Sequence, residues 1–335
     1  MSHPDPERLP QAPPVVAPLP AAADRPQWSV MIPVYNCAAF LPDALNGVLA
    51  QDPGPAQMQI EVVDDASTDA DVAALVQALG RGRVGYYRQP RNVGSLRNFE
   101  TCLNRSTGHL VHLLHGDDRV KPGFYEKMAE LLNTYPEAGA AACHYATIDE
   151  AGRLFGVPAR LAQADGLLDN WLLRLGERQR LQYVATVVRR SVYEELGSFY
   201  GTNYGEDWEM WVRIAKHYPF AYTLDILAEY RLHNQSISST KLASGEIVAD
   251  LVQVIGRIRE HLPAAHRQRI TKLASRFYAH YVITEAYETA ERTQDWELVY
   301  RAIAKTLRLS RHLGIYNHLV RAWAKHLLTK YRKAS

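Results

Sequence analysis

The chain has 335 residues, of which 47% are hydrophobic, and this is enough to bury a sizeable core in one large domain or two. The formal net charge is only +2 and no apolar run reaches 18 residues, so a membrane-spanning protein and a general nucleic-acid-binding surface are both disfavoured. Export, a disulfide framework and a structural zinc site are not expected either. The amino terminus lacks a basic segment followed by an apolar core, and Cys37, Cys102 and Cys143 form no Cys-x-x-Cys pair. The reducing cytoplasm is the expected location.

The first 26 residues, MSHPDPERLPQAPPVVAPLPAAADRP, are rich in proline and alanine. Such a composition buries too little apolar surface to offset the entropy of ordering. We therefore expect residues 1–26 to form a disordered, polyproline-like tail that is dispensable for activity.

Apolar runs then alternate with segments of helix length. The runs WSVMIPVY, MQIEVVDD, VGYYR and HLVHLL predict strands, and helices are predicted near residues 39–51, 69–79 and 95–106. This alternation predicts an α/β fold, Rossmann-like, with a mostly parallel sheet and helices on both faces. Pro122 is well placed to open a further helix.

The loops PVYN, DDASTD and HGDD follow three of these strands. Because ligands bind at the carboxyl ends of the strands in open parallel sheets, the three loops are expected to share one cleft. Ser67 or Thr68 could cap the next helix, but Asp64 and Asp65 lie upstream of any cap and need another role, such as binding the base or ribose of a nucleotide. No G-x-G-x-x-G or G-x-x-x-x-G-K-[ST] motif is present, so a dinucleotide or P-loop site is disfavoured.

Two adjacent carboxylates, Asp117 and Asp118, end the last of these strands in the segment HGDD. Like charges side by side are unfavourable unless a cation lies between them or water solvates each one. From this segment alone, a polar turn and a divalent-metal site are equally acceptable interpretations.

A second acidic pair, Glu206 and Asp207, opens the segment GEDWEMWVRIAKHY, in which Trp208 and Trp211 recur at helical spacing. Acidic residues in the first turn of a helix interact favourably with its dipole, which also keeps a carboxylate ionised, as a catalytic base requires. From about Ile237 onward the pattern is helical.

The carboxyl-terminal end is basic. Residues 298–335 contain nine Lys or Arg and no Asp or Glu, so 29 basic and 36 acidic residues remain elsewhere. The apolar positions at helical spacing are Tyr316, Leu319, Val320, Trp323, Leu327 and Tyr331. A helix that packs on the domain and one that binds an anionic membrane surface peripherally both fit this amphipathic pattern.

Five segments, taken in order, resemble glycosyltransferase family 2. They are SVMIPVYN, EVVDDASTD, NVGSLRNFETCLNRSTGHLVHLLHGDD, GEDWEMWVRIA and YRLHNQSIS. The resemblance implies a GT-A fold over residues 27–240 and a nucleoside-diphosphate-sugar donor, with UDP as the expected nucleotide. The helical pattern that follows predicts a helical region over residues 241–335. The resemblance also implies inversion at the anomeric carbon and a hydroxyl acceptor, such as a glycan or lipid-linked saccharide in bacterial surface polysaccharide or glycolipid assembly.

The same resemblance assigns roles to individual residues. Asp207 is the expected general base and Glu206 orients the loop or the acceptor. Asp117 and Asp118 are expected to hold Mn²⁺ or Mg²⁺ on the donor diphosphate. The residues expected to bind the donor are Pro33, Tyr35, Asn36, Asp64, Asp65, Asn98, Arg231, His233, Ser236 and Ser238.

One departure from the family pattern leaves two alternatives open. His115 replaces the first aspartate of the metal motif, and an imidazole is a poorer ligand for Mg²⁺ than a carboxylate. A catalytically inactive nucleotide-sugar or glycan-binding module is the first alternative, although Asp207 is retained. The second is a nucleotidyltransferase, which would need a glycine-rich, basic first loop that PVYNCAAF does not provide.

Overall fold

The described residues form two compact units. The computed structural model describes residues 7–20, 24–233, 247–293, 295–318 and 320. Residues up to 171 and residues 180–233 belong to the first unit, and residues 172–179 join the carboxyl-terminal part of the chain in the second. The predicted boundary at residue 240 lies outside the described residues.

The described part of the first unit contains ten strands and six helices, and a seventh helix begins in it. The strands are β1 (Trp28–Val34), β2 (Met58–Asp64), β3 (Gly85–Arg88), β4 (Leu110–Leu113), β5 (Arg119–Val120), β6 (Ala140–Ile148), β7 (Leu154–Gly156), β8 (Gly166–Leu167), β9 (Thr186–Arg189) and β10 (Phe220–Arg231). The helices are α1 (Leu41–Leu49), α2 (Val72–Gly80), α3 (Ser95–Arg105), α4 (Phe124–Thr134), α5 (Trp171–Glu177), α6 (Arg190–Leu196) and α7 (Glu206–His217), and residues Tyr183–Ala185 form a 3₁₀ turn.

One sheet contains all ten described strands, so the predicted α/β architecture is confirmed. Its main path runs in the order β3-β2-β1-β4-β9-β6-β10-β5, with β7 beside β6 and β8 beside β10. Strands β1 to β4, β6 and β10 point in one direction, because β9 is antiparallel to both β4 and β6. The carboxyl ends of β1, β2 and β4 therefore lie at the same edge of the sheet.

The core explains why β1 is apolar along its whole length. All seven of its residues are buried. Val30, Ile32 and Val34 pack in a cluster with side chains of α1, α2 and α4. Met31 points to the opposite face, because side chains alternate along a strand, and α3 contacts the sheet without joining that cluster.

The carboxyl-terminal unit is helical, as the sequence predicts. Its further described helices are α8 (Ile247–His261), α9 (Ala264–Thr293) and α10 (Glu297–Thr306). No helix in the described ranges is long and apolar enough to cross a membrane. Most of the predicted basic helix, including Leu319, Trp323, Leu327 and Tyr331, lies outside the described residues.

The amino-terminal segment packs on the first unit, so the prediction of a disordered tail is wrong for residues 7–20. Val16 is completely buried. Backbone hydrogen bonds of 2.8 Å run from Ser198 N–H to Pro14 O and from Gly201 N–H to Pro10 O. Composition misleads here because an extended proline-rich chain needs no core of its own where a neighbouring surface supplies donors for its carbonyl groups.

A buried histidine in β4 predicts a loss of stability in acid. Burial lowers the pKa of His112 from 6.5 to about 3. Because the unfolded chain then binds a proton that the folded chain does not, the free energy of unfolding falls below pH 6.5 by up to about 1.4 kcal/mol per pH unit. We expect His112→Gln to reduce this slope in urea denaturation between pH 6.5 and pH 4. The exposed control His217→Gln should retain it, and an unchanged slope in His112→Gln would contradict the assignment.

Candidate active site

The loops after β1 and β2 are joined by hydrogen bonds between their side chains and backbones. Asn36 N–H donates to Ser67 Oγ at 3.0 Å, and Asn36 Oδ1 accepts from Thr68 N–H at 2.7 Å. Asn36 has a φ of 50°, a left-handed conformation that asparagine tolerates better than most residues. The two loops therefore share one cleft edge, as expected from the strand order.

The predicted capping role of Ser67 or Thr68 is wrong. Helix α2 begins later, and its cap is Asp71, whose side chain accepts from Ala74 N–H. Asp69 instead accepts from Ala38 N–H at 2.9 Å in the neighbouring loop. The polar residues after β2 thus bind the loop after β1. A rule for helix caps considers only neighbours in the sequence, so it does not predict this contact.

Asp64 lies completely buried at the end of β2. One of its oxygens accepts from Ser67 N–H at 2.8 Å. The other accepts from the Tyr86 hydroxyl at 2.7 Å and from the Arg88 guanidinium, both on β3. Asp64 therefore connects its own loop to the adjacent strand and holds the edge of the cleft in place.

Asp65 organises the start of α3. Its carboxylate accepts from Val93 N–H at 2.7 Å, from Gly94 N–H at 2.9 Å and from the Asn92 side-chain amide at 2.9 Å. Burial raises its pKa, whereas the two backbone donors oppose that rise by stabilising the charged form. A carboxylate at a helix amino terminus also interacts favourably with the helix dipole.

Asn98 does not reach the cleft. It is 2% exposed, its Nδ2 donates to Val63 O at 2.9 Å, and its Oδ1 accepts from Gln89. The expected donor contact of Asn98 is therefore replaced by a supporting role between α3 and β2. The family-like spacing is retained, but the side chain points into the protein.

The segment HGDD forms a turn in which a side chain at the second position would crowd two neighbours. A Cβ on Gly116 would lie 2.9 Å from Val34 Cγ2 and 3.0 Å from Cys37 Sγ. Gly116 N–H donates to Pro33 O, and Asp118 N–H donates to His115 O. The close approach to the end of β1 brings the two aspartates beside the first loop, where Tyr35 is half exposed.

Asp117 and Asp118 have different partners and different proton affinities. Asp117 Oδ2 lies 2.9 Å from His233 Nε2, and Asp118 Oδ1 accepts from Arg231 N–H at 2.8 Å. Burial and then the charge of Asp117 raise the pKa of Asp118 well above its usual value. At Asp117 burial is outweighed by His233 and His115, which hold the pKa below its usual value. A bound cation would stabilise the ionised form of both groups.

Arg231 is a buried residue that holds this acidic pair in position through hydrogen bonds. Its side chain is 1% exposed, and it donates to Asp117 O at 2.8 Å and to Asp43 Oδ2 at 2.6 Å. Two further bonds reach the carbonyl oxygens of Asp149 and Glu150. The expected contact of Arg231 with a diphosphate is therefore replaced by positioning of the aspartates.

His115 lies between two aromatic rings. Its ring stacks on Phe99 with a centroid distance of 5.2 Å and packs against Tyr183 at 4.3 Å. The Tyr183 hydroxyl in turn donates to Glu206 Oε1 at 3.3 Å. This series of contacts joins the HGDD turn to the first residue of α7.

Asp207 shares its surroundings with two tyrosines that the sequence interpretation missed. Burial and then the charges of Asp118, Asp117 and Asp207 raise the pKa of Tyr230. Burial, with the charge of Asp207, also raises the pKa of Tyr145, although a hydrogen bond with Gln182 opposes it. Tyr230 could have been noticed in the segment YRLH, whereas Tyr145 and Tyr183 lie in no motif.

The residues around the HGDD turn fit a divalent cation. The ligand atoms of His115, Asp117 and Asp118 lie within 4.8 Å of one another. Among the described residues, the buried Nε2 of His115 has no hydrogen-bond partner. One nitrogen and two carboxylate oxygens suit Mn²⁺ better than Mg²⁺, which favours all-oxygen ligands.

Two of the residues expected to bind the donor, Ser236 and Ser238, lie outside the described residues. The others, apart from Asn98 and Arg231, lie along the loops that follow β1, β2 and β10 or at the end of β1 itself. The structure therefore brings Tyr35, Asn36, Asp64, Asp65 and His233 to one edge of the sheet.

Two solved structures in complex with nucleotide sugars share this fold. TarS of Staphylococcus aureus in complex with UDP-GlcNAc has a TM-score of 0.63 at 16% identity, with 92% of each chain covered. The mannosyltransferase PcManGT of Pyrobaculum calidifontis, in complex with GDP-Man and Mn²⁺, has a TM-score of 0.57 at 18% identity, covering 97% of this chain and 85% of that one. The fold of this chain is therefore GT-A.

Sequence relatives agree with that fold. An uncharacterised glycosyltransferase of Rickettsia typhi is 24% identical over 65% of this chain and 67% of its own length. An uncharacterised protein of Mycobacterium tuberculosis is 35% identical, but the match covers only 35% of each chain, so this chain spans about a third of that relative. The family model for glycosyl transferase family 2 matches residues 29–197, from β1 to the end of α6. With half of its length matched and the acidic loops in place at one sheet edge, the chain belongs to glycosyltransferase family 2.

Proposed function

We propose that this protein is an inverting, metal-dependent glycosyltransferase that moves a sugar from a nucleoside-diphosphate sugar, with UDP as the nucleotide, to a hydroxyl acceptor. The observation that carries the proposal is the link between the acidic turn and α7. The ligand atoms of His115, Asp117 and Asp118 lie within 4.8 Å of one another. The His115 ring packs against Tyr183, whose hydroxyl donates to Glu206 Oε1. This series of contacts joins the acidic turn to the acidic start of α7. This arrangement suits a reaction in which a diphosphate leaves from one side of a sugar carbon and a base acts on the other.

Donor binding is assigned to the linked loops after β1 and β2. Tyr35 and Asn36 border the cleft, and the carboxylates of Asp64 and Asp65 hold the loop edges that face the base and the ribose. Both carboxylates already accept several protein hydrogen bonds, so they are positioned before the ligand arrives. Such preorganisation reduces the entropy lost on binding.

In the transfer step, Asp207 accepts the proton of the acceptor hydroxyl while the acceptor oxygen attacks the anomeric carbon. The bond from that carbon to the diphosphate oxygen breaks on the opposite face, which inverts the configuration. Asp207 Oδ1 accepts from Trp208 N–H at 2.7 Å, a contact that fixes the carboxylate at the helix start. Glu206 orients this turn through the Tyr183 hydroxyl.

Asp117 and Asp118, with His115, would hold a divalent cation, which supplies positive charge to the leaving diphosphate. Hydrogen bonds within the protein hold these side chains in place before any ion binds. Arg231 fixes the backbone of Asp117 and the carboxylate of Asp118, and His233 adjoins the carboxylate of Asp117.

A panel of nucleotide sugars tests the function. In the presence of Mn²⁺, the donor should raise the melting temperature, since a ligand at 100 times its dissociation constant stabilises the folded state by about 2.7 kcal/mol. Release of the nucleoside diphosphate from that donor should follow. Failure of every UDP and GDP sugar to shift the melting temperature would contradict the proposal. Binding without release, even with a range of acceptors, would instead identify an inactive binding module, the alternative that His115 leaves open.

The acceptor is proposed to be a glycan or a lipid-linked saccharide of the bacterial surface, reached at an anionic membrane. The nine cations of residues 298–335 support this, because each is worth about 1 kcal/mol near an anionic surface. Among the described residues of this end, Tyr316 is 43% exposed and Val320 is 66% exposed.

Flotation with anionic liposomes checks the membrane contact. The full chain should float at low salt and stay at the bottom at high salt, since screening weakens surface charge interactions. A chain truncated at Leu313 should stay at the bottom in both cases. If the full-length protein remained at the bottom at low salt, the basic carboxyl-terminal helix would be assigned to packing on the domain.

A further inference from the structure

The amino-terminal segment, residues 7–20, connects two loops that border the proposed site. Its prolines pair with the loop that precedes α7, as described above. At its other end, Glu7 O accepts from Arg97 Nε at 2.8 Å on α3. The segment lies outside residues 29–197, the part matched by the family model.

Arg8 in this segment is linked to Asp65 through one asparagine. The Arg8 guanidinium donates to Asn92 Oδ1. The Nδ2 of the same amide donates to Asp65 Oδ2 at 2.9 Å. The guanidinium also packs on Gly94, where an added Cβ would lie 3.2 Å from Arg8 Nε, and Gly94 N–H binds the same carboxylate. Both ends of the Asn92 amide are thus engaged, and its orientation is determined.

A cavity of about 470 Å³ opens beside these contacts. Arg8, Gln89, Asn92 and Val93 are among its lining residues. The volume lies within the range of small-molecule sites. Asn92 and Val93 belong both to the cavity wall and to the set of donors that hold Asp65, so a ligand in this cavity would adjoin the Asp65 loop.

We propose that Arg8 is a positioning residue for the donor nucleotide, which orients Asn92 and, through it, Asp65 beside the cavity that receives the base. This rests on the proposed function, because the ligand is the nucleoside diphosphate of that reaction. An asparagine whose Oδ1 lacks a donor can rotate its amide away from the carboxylate. Asp65 then keeps its two backbone donors but loses the Asn92 amide, and the ligand has to restore that part of the arrangement at a cost in affinity.

Calorimetric titration of the full chain with UDP and with GDP, in Mn²⁺, tests the proposal. Arg8→Ala should weaken binding of the nucleotide that the wild type prefers by about tenfold. The melting temperature and the Mn²⁺ affinity should stay unchanged, because Arg8 is exposed and does not adjoin the acidic turn. Arg8→Lys, which keeps a donor for Asn92, should recover part of the affinity. The control Arg25→Ala removes an arginine that binds the carbonyls of Thr107 and Gly108, and it should bind as the wild type does.

A double-variant cycle shows whether Arg8 acts through Asn92. Asn92→Ala alone should weaken nucleotide binding, and adding Arg8→Ala should cause no further loss. An additive loss, wild-type affinity in Arg8→Ala, or an equal loss in Arg25→Ala would each overturn the positioning role. A wild-type chain that binds neither nucleotide would contradict the proposed function itself, an outcome distinct from these three.

Discussion

Replacing Asp207 by asparagine is expected to reduce sugar transfer on the order of 10²–10⁴-fold, the usual cost of losing a general base. The asparagine Oδ1 can still accept the 2.7 Å hydrogen bond from Trp208 N–H, so the start of α7 should keep its shape. Donor affinity should stay close to that of the wild type, because only proton removal is lost. The measurement is the initial rate of nucleoside diphosphate release with saturating donor and acceptor.

A matched control for this variant is Asp71→Asn. Asp71 is also an aspartate at a helix start, but it is exposed and caps α2 through Ala74 N–H. Its amide variant should transfer sugar at the wild-type rate. If Asp207→Asn also transferred at the wild-type rate, the base would have to be another group.

Removal of the Asp118 carboxylate should weaken Mn²⁺ and nucleotide binding together. We expect Asp118→Ala to reduce Mn²⁺ affinity by about 100-fold or more, since even the loss of a group that hydrogen-bonds to a metal ligand typically costs about 10–100-fold. Calorimetric titration with Mn²⁺ and then with UDP measures both effects. Excess EDTA should stop turnover of the wild type.

A second variant separates charge from structure at this position. Asp118→Asn keeps an acceptor for Arg231 N–H and removes only the negative charge. It should bind Mn²⁺ as weakly as Asp118→Ala while melting closer to the wild type. Undiminished turnover in excess EDTA would contradict a requirement for a divalent cation.

The arrangement around the HGDD turn argues against a simple polar turn at the two adjacent aspartates. A simple polar turn would leave both carboxylates in water, whereas Asp118 is 1% exposed and Asp117 lies beside His115 and His233. Burying two like charges is costly unless one is neutral or a cation is present. The cation proposed above would offset this cost and keep both carboxylates ionised.

The sequence by itself determined the order of the first four strands and of the three helices between them. The predicted helix near residues 95–106 is α3 (Ser95–Arg105), and the run MQIEVVDD contains β2 (Met58–Asp64). Both patterns are local, because apolar spacing and glycine or proline positions act over a few residues. The carboxyl ends of parallel strands lie at one edge of the sheet. This rule alone predicted that Asp64, Asp65 and Asp117 lie near one another, without any knowledge of side-chain contacts.

Only the tertiary structure decided which groups surround the carboxylates of the HGDD turn and of the start of α7. Tyr145, Tyr183 and Tyr230 reach the site from three distant parts of the chain, and no local pattern marks contacts made across so many residues. Arg231 lies in a family-like motif, yet its direction depends on Asp43 and on the carbonyl groups that accept its hydrogen bonds.

The amino-terminal segment is the clearest case of contacts that no local sequence pattern predicts. Its composition favours a chain without helix or strand, and residues 7–20 contain neither in the structure. Whether an extended chain is ordered depends on the surface that it meets, here the N–H groups of Ser198 and Gly201 and the pocket that buries Val16. Those partners lie about 180 residues away in the sequence, so only the folded chain brings them together.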